Sequence, residues 1–314
     1  GRNDAWKSFG RGSLWSQKGD KWAFNKATES FDLLNVFYPD NIVDGCGPKG
    51  WFTSTPYGTV DILPIEAPQD VMNKYKAMVF LGWNSFEESD FLRIRNYVFG
   101  GGTLVLTAAH LNAELQPDQP VKFPVNDAVI REMLGDNYKS LSAKTVVPFG
   151  SGKIIYFPQT VYPAEASLRS QYEATMRELA SATTGEELSK GWIESAPSVG
   201  FTVWDSKDRR TIYLLNTDWQ SNEQKHEATF ICNGKKFPVD VRRYHIETVH
   251  CADGLAVSPG SNTTDILSID REGDGWKVTV QNTEKDTIRY FNTETGAIDS
   301  VTFDEPSVHS FIVK

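Results

Sequence analysis

The sequence contains few cysteines and histidines, three and five respectively among 314 residues. Three cysteines allow at most one disulfide bond, which excludes a disulfide-rich scaffold. Cys232 and Cys251 lie in neighbouring predicted strands and can either pair or remain buried thiols, while Cys46 is left over. Pairing would favour the periplasm or the cell exterior, so the compartment stays open on this evidence.

Long apolar runs and basic clusters are also missing. The longest apolar runs fall far short of the ~20 residues that a membrane-spanning helix requires. The net charge is −9, the pI is about 5.2, and no group of Lys and Arg stands out. Polyanions such as nucleic acids are therefore poor partners for this chain. No motif calls for a cofactor or a metal ion, and we expect neither.

One acidic segment superficially resembles a calcium-binding loop. Asp270–Gly275 has closely spaced acidic residues, but it lacks the glutamate at the last loop position and the flanking helices of such sites. Its Asp-Gly pair is typical of a hairpin turn, and we expect a turn there.

Aromatic residues are abundant, with nine Trp, eleven Tyr and eighteen Phe. Most large aromatic side chains pack in cores. The same enrichment is found in proteins that stack sugar rings, so Trp192, Trp204, Trp219 and Trp276 are candidates for a sugar platform. Trp219 is the best of them because Asn216–Gln220 reads as a loop after a strand; for the others, a place in the core is the default.

The first part of the chain alternates predicted strands and helices. Lys76–Gly82 and Thr103–Ala109 are apolar runs typical of strands buried on both faces. Between them, Ser85–Glu88 has capping-box spacing before a helix that Gly100–Gly102 ends, which predicts a parallel βαβ unit. Further elements are predicted as follows: helices from Asn25 to Phe37, from Asn126 to Leu134 and from Leu168 to near Gly185, and strands at Thr59–Leu63 and Lys153–Phe157.

From about residue 191 the pattern changes to short β-branched and aromatic segments separated by turn signals. Eight strands are predicted: Phe201–Trp204, Thr211–Leu215, Glu227–Cys232, Phe237–Val241, Thr248–Cys251, Trp276–Val280, Thr287–Phe291 and Ser310–Val313. Asn233-Gly234, Asp253-Gly254, Asp274-Gly275 and Thr295-Gly296 are predicted turns between them. We therefore expect an arm or linker at residues 1–24, an α/β domain with a mainly parallel sheet at 25–190, and an antiparallel β-sandwich at 191–314.

Candidate ligand-binding residues follow two strands of the predicted parallel sheet. Trp83, Asn84 and Glu87 come after the first strand, and His110 comes after the second. Open α/β sheets bind ligands at the carboxyl ends of their strands, so these side chains predict a polar pocket with an aromatic wall. The alternative is that Trp83 covers the sheet edge and His110 is a loop histidine with its hydrogen bonds satisfied.

The stretches Tyr75–Trp83 and Gly100–His110 resemble the class I glutamine amidotransferase-like, flavodoxin-like fold. That family carries a nucleophilic Cys on a turn directly after the second strand, with a later His and Glu. Here Thr107–His110 contains no Cys, Cys46 lies well before it, and no later His-x-Glu belongs to this domain. The resemblance therefore implies the fold without the amidotransferase activity, and we assign no catalytic residue.

An amidotransferase-like domain followed by a β-domain is similar in layout to the C-terminal region of family 42 β-galactosidases. Phe52–Gly58, Asp61–Leu63 and Gly100–Val105 also resemble the tail of large bacterial glycoside hydrolases with this arrangement. The resemblance implies a carbohydrate-related protein whose catalytic barrel lies in a separate N-terminal domain. A barrel needs about 250 residues and eight β/α repeats, more than this chain's α/β part provides.

Three functional hypotheses follow. The first is a non-catalytic accessory region of a glycoside hydrolase, which packs on a barrel, mediates homo-oligomers or forms a wall of a substrate cleft. The second is a carbohydrate-binding module with its ligand at Trp83 and His110 or around Trp219. The third is a sugar-utilisation enzyme of the ThuA type, for which His110 is the one matching histidine.

Overall fold

The computed structural model describes residues 33–37, 55–81, 88–112, 114–116, 119–122, 127–161, 163–183, 185–194, 198–218 and 222–314. These residues form two compact units. The first contains the described residues up to Val36 together with Asp61–Leu179, and the second contains those of Phe37–Val60 together with Ala180–Lys314. In the second unit, the Phe201 N–H donates to the Thr55 carbonyl at 2.9 Å, which ties the early segment to a strand much later in the chain.

The first unit is built on a mixed sheet of four strands in the order β1, β2, β6, β5. Strands β1 (Ala77–Val79), β2 (Thr103–Thr107) and β6 (Gly152–Phe157) are parallel, and β5 (Thr145–Phe149) pairs antiparallel with β6 at one edge. A small hairpin of β3 (Glu114–Gln116) and β4 (Gln119–Lys122) follows β2. The predicted α/β pattern and the parallel β1–β2 pair are confirmed, whereas membership of the amidotransferase-like class stays a prediction.

Helices precede, connect and follow the strands of this sheet. They are α1 (Gln69–Met72), α2 (Glu88–Phe99), α3 (Asp127–Leu134) and α4 (Arg169–Ser181), with short 3-10 turns at Leu33–Val36, Ala108–Asn112 and Tyr138–Ser140. The core between helices and sheet includes Ile94, Val98, Leu104, Leu106 and Ile154, all fully buried. Gly102, where α2 gives way to β2, has no room for a side chain, because a Cβ there would lie 2.1 Å from the Tyr97 ring.

The predicted strand at Thr59–Leu63 is wrong. These residues form no strand, and their side chains are mostly exposed. The β-branched residues favour an extended chain, but an extended segment becomes a strand only where a neighbouring strand accepts its hydrogen bonds. The next residue, Pro64, also lacks an N–H donor. In place of pairing, Asp61 accepts a hydrogen bond from the Tyr75 hydroxyl at 2.8 Å.

The second unit is almost entirely β-structure after one short helix, α5 (Gly185–Lys190). The sequence signals predicted a helix end near Gly185, whereas a new helix begins there. The strands of this unit are β7 (Trp192–Glu194), β8 (Val199–Asp205), β9 (Arg210–Asn216), β10 (Lys225–Cys232), β11 (Lys235–Arg242), β12 (Ile246–Ala252), β13 (Leu255–Ser258), β14 (Thr264–Glu272), β15 (Gly275–Asn282), β16 (Asp286–Asn292), β17 (Ile298–Phe303) and β18 (Ser307–Val313).

These strands form three antiparallel sheets. A central sheet has six strands in the order β17, β16, β13, β12, β9, β8; a first outer sheet has the order β11, β10, β7, and a second outer sheet has the order β14, β15, β18. All eight predicted strands are present, and β7, β13, β14 and β17 were missed. The β-sandwich is confirmed in outline, but it has three sheets.

The two faces of the central sheet contribute to two separate cores, because side chains alternate between the faces of a strand. On one face, Ile212, Leu214 and Val249 share a core with Phe230 and Val239 of the first outer sheet. On the other face, Leu255, Val257 and Ile288 share a core with Trp276, Val278 and Val313 of the second outer sheet. The second outer sheet therefore covers the β13 and β16 side of this face.

Two of the hairpin turns lie at the predicted residues, and a third is shifted by one residue along the chain. Asn233-Gly234 and Asp253-Gly254 both have positive φ at both residues, as a two-residue hairpin turn of this hand requires. The β14–β15 turn is formed by Gly273 and Asp274, because Glu272 pairs with Gly275. The prediction of a hairpin at Asp270–Gly275 is confirmed, while the turn residues differ by one position from Asp274-Gly275.

Candidate functional site

His110 lies at the carboxyl end of β2, in the 3-10 turn that follows the strand. Its Nδ1 accepts a hydrogen bond from the Thr107 backbone N–H at 2.9 Å, so in the neutral ring the proton is on Nε2. The Phe80 ring packs edge-on against the imidazole at 5.4 Å between centroids. The side chain has no exposed surface. A ligand in solution therefore cannot reach this histidine without a local rearrangement.

The same end of the sheet is tied to α4 by Tyr172. The Tyr172 hydroxyl oxygen lies 2.5 Å from the Phe80 carbonyl oxygen and 3.2 Å from that of Val105. Burial raises the pKa of this phenol well above its usual value, so it remains a neutral donor. The described residues at this end of β1 and β2 are thus hydrogen-bonded and enclosed, as is typical of a structural contact.

Four of the five predicted site residues, Trp83, Asn84, Glu87 and Trp219, lie outside the described residues. Their roles stay predictions, and His110 is the one candidate whose surroundings are known.

A different surface has the character of a ligand site, and it lies in the second unit. On the face of the central sheet that the second outer sheet covers in part, Trp204 of β8 is 68% exposed, Tyr213 of β9 43% and Ile246 of β12 53%. Their chain neighbours Val203, Ile212, Leu214 and Glu247 point to the opposite face, which fixes the direction of all three. We call the part of this face formed by β8, β9 and β12 the open face.

The register of the three strands places the aromatic rings diagonally across the open face. Thr202 and Thr248 are the direct partners of Tyr213 on its two sides, whereas Trp204 pairs with Thr211, two residues before Tyr213. Diagonal neighbours in an antiparallel sheet are about 7–8 Å apart, within reach of aromatic side chains. The phenol ring is therefore flanked by two threonine hydroxyls and followed by an indole ring.

The strand positions of the open face carry no charge at neutral pH, and the Arg209 guanidinium lies at its border. Its remaining positions in the same register are Gly200, Leu215 and His250. Burial lowers the pKa of His250 to about 4, so the imidazole is neutral at pH 7. The Thr211 hydroxyl lies 3.1 Å from His250 Nδ1. At the border with the second outer sheet, Arg209 Nη1 donates to the Ile266 carbonyl of β14 at 2.5 Å.

The exposed position of Trp204 differs from the predicted core position, and Tyr213 is not among the residues that the sequence analysis singles out. A core position was the default for Trp204, but the indole is on the solvent side of β8. Trp276, in contrast, is 1% exposed and donates from Nε1 to the Asp253 carbonyl at 2.9 Å, so its core position is confirmed. The alternation of Ile212, Tyr213 and Leu214 was the available signal, since one residue of the three must face away from the others.

Metal and membrane sites are not found in the part of the chain that the structure describes. No three His, Cys, Asp or Glu side chains there are grouped as a metal site would require. No described helix has the length and apolar character needed to cross a membrane.

Comparisons with known proteins give a partial likeness of fold. No family model matches the sequence, and no curated protein matches it. Among solved structures, Gan42B, a GH42 β-galactosidase, is similar with a TM-score of 0.39 and 12% identity over 73% of this chain and 36% of that chain. A catalytic mutant of Gan42B from G. stearothermophilus has a TM-score of 0.38 and 13% identity over 74% of this chain and 37% of that chain. The chain thus spans little more than a third of the length of these enzymes, and at these values the likeness assigns no role to any residue.

Proposed function

We propose that this chain is a non-catalytic, carbohydrate-binding accessory region of a glycoside hydrolase, and that its ligand is a neutral glycan bound on the open face. The observation that carries the proposal is the pair of exposed aromatic side chains, Trp204 and Tyr213, on the solvent side of adjacent strands. The connection to a glycoside hydrolase rests on the sequence resemblance of Phe52–Gly58, Asp61–Leu63 and Gly100–Val105 described above.

The chemistry of the open face favours a sugar. One side of a pyranose ring presents C–H groups, which stack well on the electron-rich face of an aromatic ring, and the ring hydroxyls need hydrogen-bonding partners at its rim. Thr202 and Thr248, the direct strand partners of Tyr213 on its two sides, supply hydroxyl groups next to the phenol ring. Nucleic acids and acidic polysaccharides require several cations, whereas the strand positions of this surface supply none and the bordering Arg209 is hydrogen-bonded to the Ile266 carbonyl.

A binding experiment tests the proposal. Neutral polysaccharides are screened by affinity electrophoresis. Those that bind are titrated calorimetrically into the purified chain and into the Trp204→Ala and Tyr213→Ala variants. If stacking of a sugar on one aromatic ring contributes about 1–3 kcal/mol, as base stacking on an aromatic side chain does, each variant is expected to bind about 5- to 150-fold more weakly. Affinity is expected to be nearly independent of salt concentration, since no ion pair forms.

Phe99→Ala is the matched control, because Phe99 is also a largely exposed aromatic residue but belongs to the first unit. It is expected to retain full affinity. The assignment of the ligand to the open face would be refuted if Phe99→Ala lost as much glycan affinity as Trp204→Ala and Tyr213→Ala. It would also be refuted if the parent chain bound no neutral glycan.

The accessory role has its own test. Purified chain is expected to hydrolyse none of a panel of aryl-glycosides, and a catalytic barrel is expected in the same reading frame. Turnover that a point mutation in this chain abolishes would overturn the non-catalytic assignment.

A further inference from the structure

Two thiols lie in the core between the central sheet and the first outer sheet. Cys232 ends β10 of the outer sheet, and Cys251 lies in β12 of the central sheet. Both are free and buried, and both belong to the same hydrophobic core. They therefore come from the two opposing layers of the sandwich.

Both sulfur atoms lie close to the same short stretch of chain, the end of α5 and the residue after it. Cys232 Sγ donates to the Ser189 carbonyl oxygen at 3.0 Å. Cys251 Sγ lies 3.1 Å from the point that a Cβ of Gly191 would occupy. Gly191 has φ +106°, which disfavours every other residue, so no side chain from this position enters the space beside the Cys251 sulfur.

The surroundings of the two thiols lower their acidity. Burial raises the pKa of both thiols, and the neighbouring Cys232 raises that of Cys251 further. Both groups therefore stay protonated at neutral pH in the closed core, where they react slowly.

Helix α5 lies beside the thiols through residues 189–191, and hydrogen bonds and one ion pair attach it to the sandwich. None of its side chains is buried. Its Leu188 carbonyl accepts from the Asn233 N–H at 3.2 Å, and Glu187 pairs with Arg210 at 2.8 Å. A short helix with no buried side chain opens at a small fraction of the global unfolding free energy, and its opening removes the Ser189 contact from Cys232.

We infer that Cys232 and Cys251 form a redox-controlled disulfide bond that links the central sheet to the first outer sheet, with α5 as the cover that gives an oxidant access. The observations that support this are the shared core, the closeness of both sulfurs to residues 189–191, and the absence of a buried side chain in α5.

The oxidant is a small-molecule disulfide such as glutathione disulfide. The Cys232 thiolate attacks one of its sulfurs and displaces a glutathione thiolate, leaving a mixed disulfide on Cys232. The Cys251 thiolate then attacks the Cys232 sulfur and displaces the second glutathione. The protons of the two protein thiols pass through solvent to the two glutathione thiolates, and the two electrons lost by the protein reduce the oxidant.

The experiment counts thiols in the full chain with Cys46→Ser as background. After reduction, two cysteines are expected to react with an alkylating reagent in denaturant; after equilibration with glutathione disulfide, none is expected, and a peptide joining Cys232 to Cys251 is expected by mass spectrometry. The cross-link closes a short loop and is expected to raise the melting temperature by roughly 5–10 °C. If Cys46→Ser does not fold, peptide mapping of the unmodified chain gives the same answer.

Cys251→Ala is the control for the linkage. It is expected to stop at the mixed disulfide on Cys232 and to show no rise in melting temperature. The inference is overturned if both thiols of the parent remain alkylatable, if the parent also stops at mixed disulfides, or if the linked peptides come from two different chains.

Discussion

The carboxyl end of the parallel strands and the open face of the central sheet differ in the solvent exposure of their polar and aromatic side chains. At the strand ends, His110 and Tyr172 are fully enclosed, and the His110 Nδ1 and the Tyr172 hydroxyl bond to the backbone of the same unit. On the open face, Trp204 and Tyr213 present ring surface to solvent beside threonine hydroxyls. Among the described residues, a soluble ligand therefore has access to aromatic groups in the second unit.

The difference shows that a fold-level rule identifies a binding site only where the side chains at that place are accessible and can bind a ligand. Open α/β sheets bind ligands at their strand ends, but the rule describes where space is available and leaves the chemistry to the residues. In the described part of that edge, hydrogen bonds hold the fold together. The predictions below test whether each region has the structural or binding character assigned to it, from the largest effect to the smallest.

Replacing the buried tryptophan is expected to cost far more stability than replacing the exposed one. Trp276→Ala removes a fully packed indole and its hydrogen bond to Asp253, which is expected to lower the unfolding free energy by about 3–5 kcal/mol. Trp204→Ala is expected to change it by less than about 0.5 kcal/mol. Denaturant unfolding monitored by circular dichroism measures both, and a large loss for Trp204→Ala would mean that the open face is covered.

The histidine at the border of the open face predicts a dependence of stability on pH. The pKa of His250 is about 4 in the folded chain and near 6.5 in the unfolded chain. The unfolded state therefore takes up a proton first as pH falls, so stability is lost between pH 6.5 and 4, by about 3 kcal/mol in total.

His250→Asn removes this titration and is the control. The difference in unfolding free energy between parent and variant is expected to shrink as pH falls through this range. A difference that stays constant from pH 7 to pH 4 would show that His250 is accessible to water and that the border of the open face is less closed than described.

Tyr172→Phe tests the structural character of the strand ends. It removes one buried hydroxyl that bonds to strand carbonyl groups and leaves the ring packing intact. The expected loss is about 1–2 kcal/mol of unfolding free energy, with unchanged glycan affinity. If this variant instead loses glycan binding at unchanged stability, the ligand site is at the strand ends after all.

Much of the fold could be read from the sequence because its signals are local. The apolar run at Thr103–Thr107 and the glycines before it predicted a buried strand after a helix, and Asn233-Gly234 predicted a hairpin turn. The missed strand β13 (Leu255–Ser258) is too short for a periodic pattern, and it is defined by its partners β12 and β16. The third sheet was missed for the same reason, since pairing is a property of distant segments.

The candidate site was harder to predict than the fold. A tryptophan in a strand has the same sequence signature in a core and on an open surface, so Trp204 and Trp276 cannot be told apart by residue type. What separates them is which part of the central sheet the second outer sheet covers. That depends on the packing of whole sheets, which no local pattern encodes.

The most direct test of the account is a ¹⁹F NMR titration of chain labelled with 5-fluorotryptophan, in which Trp204→Phe and Trp276→Phe identify the two signals. On addition of a neutral oligosaccharide that the chain binds, the Trp204 signal is expected to shift in proportion to occupancy while the Trp276 signal stays in place. A Trp204 signal that does not move while the ligand binds would contradict the assignment of the open face as the carbohydrate site.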